Sequence, residues 1–164
     1  MRAWTGIEIR EERNRLEREV ATLLGFMLFE YARLDMALGM ALAWADGGKE
    51  LEERSERLTG ANLHSKLVTL EASVQDKFNQ SHETKKAFLT LVRDIHRVRE
   101  FRNTLVHGRW GFEALEQTAV CVTGLPTSTS QQAIRYTVPD LESMLESMRS
   151  VRARLHELVA EKWL

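Results

Sequence analysis

One stripe constrains this chain more than anything else in it. From Leu16 the apolar residues step through Val20, Leu23, Met27, Tyr31, Leu34 and Leu38 to Leu42, always three or four positions apart. That rhythm keeps one face of an α-helix apolar and lies close to the coiled-coil period. It predicts a first helix over about Glu8 to Asp46, stopped by Gly47-Gly48. Glu11 with Arg15, Arg13 with Glu17, and Arg15 with Glu19 stand four apart and can pair on the wet side. A stripe this long exceeds what two shorter helices of the same chain need to cover. Its surplus suits a second copy of the chain, so a homodimer is the expected assembly.

The remaining chain supplies partners for the stripe. A polar segment, Lys49 to Arg57, reads as a helical turn or a loop. A second helix is expected over about Ala61 to Phe78, with Leu63, Leu67, Leu70, Val74 and Phe78 on one face. A third runs from about His82 to His107 on Phe88, Leu91, Ile95, Val98 and Leu105, widened by Val92 and Phe101, and Gly108 stops it. The pattern then changes. Gln117 to Thr123 and Ala133 to Val138 are rich in β-branched residues and flank a turn-forming, mobile loop from Gly124 to Ser130, which reads as a β-hairpin inserted at about 115–138. Thr137 and Asp140 resemble a capping box for a last helix, with Pro139 in its first turn and a stripe from Leu141 to Leu158. The expectation is a single all-α domain over residues 1–164, a four-helix-type bundle with a long first helix and a small hairpin before the last.

Charge and composition narrow the function. The formal net charge is −1, so there is no chain-wide basic field for nucleic acid, and any RNA contact must be local. The single cysteine, Cys121, rules out an intrachain disulfide and suits a reducing cytosol. Met1 to Arg18 mixes arginine and glutamate without a signal peptide's apolar core, and the apolar stretch at Leu34 to Ala45 is broken by Asp35 and too short to span a bilayer. A soluble, cytoplasmic protein with no membrane partner is expected. His64 and His82 have no carboxylate or cysteine at ligand spacing, no glycine-rich phosphate loop is present, and neither metal nor cofactor is expected.

Positive charge gathers at one place. Between Arg93 and Arg109 five arginines face two acids, Asp94 and Glu100, a local +3 with the histidines neutral. Within that segment Asn103 and His107 stand four apart on one helical face, and the long side chain of Arg102 can swing toward the same edge. Arginine offers a planar fork of donors for phosphate, and histidine is the side chain whose proton moves near neutral pH. The plain alternative is a solvated helix end, where cations are favourable anyway. Arg93, Arg97 and Arg99 read either as a solvated face paired with Asp94 and Glu100 or as guides for an RNA backbone. Glu30 and Asp35 interrupt the apolar middle of the first helix; either they are exposed or one of them pairs with an arginine of the motif across the bundle. The tryptophans read as packing, with Trp110 beside the motif the one candidate for stacking on a base.

Arg102-Asn103-Thr104-Leu105-Val106-His107 resembles the signature of the HEPN family, an arginine, a polar residue, and a histidine four to six positions after the arginine. Gly108-Arg109-Trp110 extends the likeness to the His-Gly-x-Trp of several branches, which also carry a hairpin after the motif and a closing helix. The resemblance covers most of the chain, although the motif itself is six residues. It implies a helical domain that dimerises and brings two motifs into one cleft. It also implies a metal-independent endoribonuclease, of the kind found in toxins, antiphage effectors and RNA-processing enzymes. Arg102, Asn103 and His107 would be catalytic, and Arg99, Arg109 and Trp110 would bind the RNA substrate. A protein partner such as an antitoxin would fit that setting. One toxin branch carries a tyrosine two positions after the histidine, modified by a partner nucleotidyltransferase; Arg109 stands there instead, which puts that regulation in doubt. Other members are non-catalytic modules that bind a protein or a nucleotide, and the motif alone does not separate the two.

Overall fold

The computed structural model describes residues 3–163. Five α-helices and one small antiparallel sheet follow in order: α1 (Gly6–Ala43), α2 (Leu51–Thr59), α3 (Leu63–Lys77), α4 (His82–His107), β1 (Arg109–Glu113), β2 (Thr118–Thr123), β3 (Gln132–Thr137) and α5 (Val138–Leu158). A short π-helical turn, Val159–Trp163, ends the described chain. The protein is mostly helical but mixed rather than all-α, and the expected hairpin is a three-stranded sheet in the order β1-β2-β3. No helix is long and apolar enough to cross a membrane among the described residues.

Local chemistry explains the boundaries. α1 starts two residues before the expected Glu8 because Thr5 and Glu8 cap it reciprocally, the Glu8 amide donating to Thr5 Oγ1 at 3.2 Å and the Thr5 amide to Glu8 Oε2 at 2.9 Å. It ends at Ala43 rather than Asp46, since Asp46, Gly47 and Gly48 all take positive φ. Arg15 pairs with Glu19 and also with Glu12. The polar segment after it is helical, α2, although none of its residues is buried. α3 begins at Leu63, where the Asn62 side chain accepts from the Ser65 amide at 2.9 Å. α5 carries the expected cap: the Thr137 amide donates to Asp140 Oδ2 at 2.8 Å and the Asp140 amide to Thr137 Oγ1 at 3.2 Å.

The chain forms two compact units, 1–29 with 101–147, and 30–100 with 148–164. In the first, Leu16, Val20 and Met27 of α1, Leu105 of α4, Ala119 and Cys121 of β2, and Leu141 and Leu145 of α5 are buried. In the second the buried set includes Leu34, Leu38, Leu67, Leu70, Phe88, Leu91, Ile95 and Leu155. An aromatic cluster joins this second core: Phe88 lies 5.4 Å from Phe78 and 5.6 Å from Trp163, whose indole N–H donates to the Ala41 carbonyl at 2.8 Å.

Two carboxylates of α1 inside the second unit meet basic partners. Glu30 is 3% exposed and accepts from Arg152 Nε at 2.8 Å and from Arg33 Nη1. Asp35 accepts from the buried Lys66 ammonium at 2.9 Å through both oxygens. Neither carboxylate turns to a motif arginine, contrary to one of the two expected arrangements. Arg33 lies one turn along on α1 and serves first. Burial pushes the Glu30 carboxyl up, but the hydrogen bonds and charges of Arg152 and Arg33 outweigh it and hold it below the usual carboxylate range.

Candidate nucleic-acid site at the end of α4

The hexad, Arg109 and Trp110 belong to the first unit, and Arg99 to the second. α4 ends at His107, the last residue of the hexad. Its stop is steric. The Gly108 amide donates to the Thr104 carbonyl at 2.9 Å, and a Cβ on Gly108 would stand 2.1 Å from Cys121 Sγ and 2.6 Å from the Thr104 oxygen. The Cys121 thiol itself points at that oxygen, 3.6 Å away. Only glycine lets the chain turn here directly from helix into β1. Burial pushes the Cys121 thiol up, so it stays a neutral thiol.

Register then places the flanking residues. Trp110 pairs with Cys121 and Phe112 with Ala119 across β1 and β2, and Tyr136 pairs with Ala119 across β2 and β3. Alternation puts Trp110, Phe112, Ala119, Cys121 and Tyr136 on one face of the sheet. Tyr136 meets Trp110 at 5.9 Å and Phe101 of α4 edge-on at 6.0 Å. The Trp110 indole N–H donates to the Leu105 carbonyl at 3.2 Å. Trp110 therefore supplies a donor to a carbonyl in the last turn of α4, which helix geometry leaves without an intrahelical partner. On the opposite face Arg135 forms a bidentate pair with Glu113 at 2.9 Å, and that pair holds the Glu113 carboxyl below its ordinary range.

The three central residues are arranged differently. Asn103 and His107 are exposed, and Arg102 is half-buried. Arg102 Nη1 donates to Asn103 Oδ1 at 3.3 Å. The guanidinium reaches the Asn103 side chain, and helix periodicity sets His107 one turn beyond Asn103 on the same face. An arginine fork, an amide and an imidazole thus share one wet helix end, a set able to bind a phosphate and move a proton.

The expected substrate contacts fare unequally. Arg109 is exposed at the start of β1, but its Nη2 donates to Gln131 Oε1 at 2.7 Å and to the Gly124 carbonyl at 3.3 Å. It closes the β2–β3 loop, which Gln131 also ties through the carbonyls of Pro126 and Ser128. Arg99 lies three residues before Arg102 on α4 and belongs to the second unit; its Nε is buried with no hydrogen-bond partner among the described residues. Sequence reading missed Tyr136, Cys121 and Gln131 as supports of this end. No spacing rule connects them to residue 107; strand register does. Among the described residues no three His, Cys, Asp or Glu side chains group at metal-binding distance. Comparison of the chain with protein-family models, with curated proteins and with solved structures returned no significant match.

Proposed function

We propose that this chain is a HEPN-like endoribonuclease that cuts RNA without a metal, at a site completed by two copies of the hexad in a homodimer. The four-helix-type bundle of α1, α3, α4 and α5 belongs to the same proposal, as do a cytoplasmic setting, a toxin or antiphage role and a protein that restrains the activity. The single observation that carries the reading is the helix end described above, where Arg102 donates to Asn103 on the edge that also bears an exposed His107.

The chemistry follows from RNA itself, which brings its own nucleophile. The ribose 2′-hydroxyl attacks the adjacent phosphorus and its proton passes to one His107. The bond to the 5′-oxygen breaks, and that oxygen takes a proton from the second His107. The products are a 2′,3′-cyclic phosphate and a 5′-hydroxyl. Arg102 stabilises the charge that builds on the phosphate oxygens, and Asn103 holds the guanidinium in place.

A second reading, a non-catalytic HEPN-like module that binds a protein or a nucleotide, draws on Trp110, whose one N–H donates to the Leu105 carbonyl, and on Arg109, whose Nη2 is turned to Gln131 and Gly124. One assay separates the two. Purified wild type should cut single-stranded RNA in EDTA, and Arg102→Ala and His107→Ala should each lose about a hundredfold or more in rate with unchanged circular dichroism. Intact RNA with wild type, or equal cutting by His107→Ala, sinks the enzyme reading and leaves the second.

A further inference from the structure

The second unit carries a groove of about 600 Å³ between residues 32–44 and 152–159, lined by α1, the end of α5 and the π-helical turn. Its character differs from everything around the hexad. Ala32, Ala37 and Ala41 lie along it, side chains small enough to let another backbone come close. Met36, Met40 and Trp44 border it and stand in water, at 66%, 50% and 43% exposure. Large apolar side chains left this wet on neighbouring turns mark a surface that something covers. Methionine walls adapt to the side chains they meet.

The groove also has a sign. Its polar lining residues are Arg33, Arg152 and His156, and no carboxylate lines it. Behind it stands buried Glu30, which holds Arg33 through Nη1 and Arg152 through Nε. Two guanidinium charges against one carboxylate leave +1 before His156 is counted. Each guanidinium gives one N–H to Glu30, and among the described residues neither makes a further hydrogen bond.

The geometry points to a docking site for an amphipathic helix of a partner protein that carries acidic residues beside its apolar face. The stretch from Ala32 to Trp44 rises about 18 Å, the length of three turns of a bound helix. Such a helix would lay its i, i+3 or i+4, and i+7 side chains against Met36, Met40 and Trp44, and set an Asp or Glu against Arg33 and Arg152. A small amphiphile fits less well. Sites for small ligands bury most of the molecule, and walls half open to water would leave one wet. The inference stands on the groove alone and does not depend on RNA cleavage.

The test uses the full chain and a displayed library of amphipathic helices, apolar at i, i+4 and i+7 and randomised elsewhere. Selected helices should carry Asp or Glu on one flank, and their binding, followed by fluorescence anisotropy, should weaken with added salt. Met40→Lys, a change at an exposed position, should weaken binding about tenfold or more by placing a charge in the apolar contact. Arg33→Gln should weaken it less and flatten the salt dependence. Three results would overturn the proposal: no enriched helices, winners without acidic residues, or binding indifferent to Met40→Lys. A chain that self-associates until Met40→Lys makes it monomeric would assign the groove to a second copy and overturn it equally.

Discussion

Arg152 and Arg102 are both half-buried helix residues, and their settings are opposite. Arg152 donates to Glu30, a carboxylate 3% exposed that also holds Arg33. Arg102 donates to Asn103, a neutral amide on an exposed edge. Glu30 offsets one of the two guanidinium charges that it binds, whereas the Asn103 amide orients a guanidinium without a charge of its own. The first arrangement settles a buried carboxylate inside the fold. The second orients a guanidinium beside an exposed imidazole. The contrast teaches where to expect each kind of loss: stability from the Glu30 cluster, activity from the helix end.

The largest effect should come from Glu30→Ala. Removing a buried partner leaves two arginines uncompensated, a change worth 3–5 kcal/mol when both groups are buried. Arg33 and Arg152 keep 59% and 31% side-chain exposure and regain water, so a loss of about 2–4 kcal/mol in urea unfolding is expected. The pH dependence sharpens this. The folded Glu30 carboxyl titrates below its unfolded value, so its contribution is present above about pH 4.3 and fades as pH falls through the folded value. Glu30→Gln should therefore flatten the acid limb of stability between pH 5 and the acid transition, read by thermal melts. A larger acid sensitivity in the variant would contradict the depressed carboxyl.

Gly108→Ala should follow, at about 1–3 kcal/mol, because the new Cβ overpacks against a backbone oxygen and a buried sulfur. Its structural damage should be local to the helix end, seen as lost protection of the Gly108 amide in hydrogen exchange. Trp110→Phe removes the donor to the Leu105 carbonyl but keeps a ring against Tyr136, and should cost about 0.5–1.5 kcal/mol in the same urea assay. Smallest of all, His107→Ala and Asn103→Ala, both exposed, should shift stability by no more than about 0.5 kcal/mol. If His107→Ala destabilised the chain as much as Glu30→Ala, the division between a structural and a functional cluster would break.

Much of this was legible in the residues, and the gaps have physical causes. The α1 stripe is read correctly because burial follows helical periodicity: Leu16, Val20, Met27, Leu34, Leu38 and Leu42 are all buried. α4 keeps its expected bounds because Ser81, whose carbonyl accepts from the Lys85 amide, stands at its start and Gly108 stops it, and Thr137 with Asp140 cap α5 as local chemistry dictates. β1 escaped because it is five residues long, broken by Gly111 and bounded by the charged Arg109 and Glu113; pairing with β2 makes the strand. Arg33 stands within one turn of Glu30, but the other partners of Glu30 and Asp35 were out of reach because Arg152 and Lys66 stand 122 and 31 positions away. At the candidate site the hexad was visible, while the turning of Arg109 to Gln131 and of Trp110 to Leu105 depended on strand register that composition does not encode.

Under the proposed function this helix end uses the nucleophile that RNA itself carries. The most direct measurement compares one oligonucleotide as RNA and as its fully 2′-O-methylated form, both with wild type in EDTA. Cleavage of the RNA to 2′,3′-cyclic phosphate and 5′-hydroxyl ends, absent with His107→Ala and absent from the methylated strand, is the result expected. Equal cleavage of both strands, or 5′-phosphate ends, would contradict it.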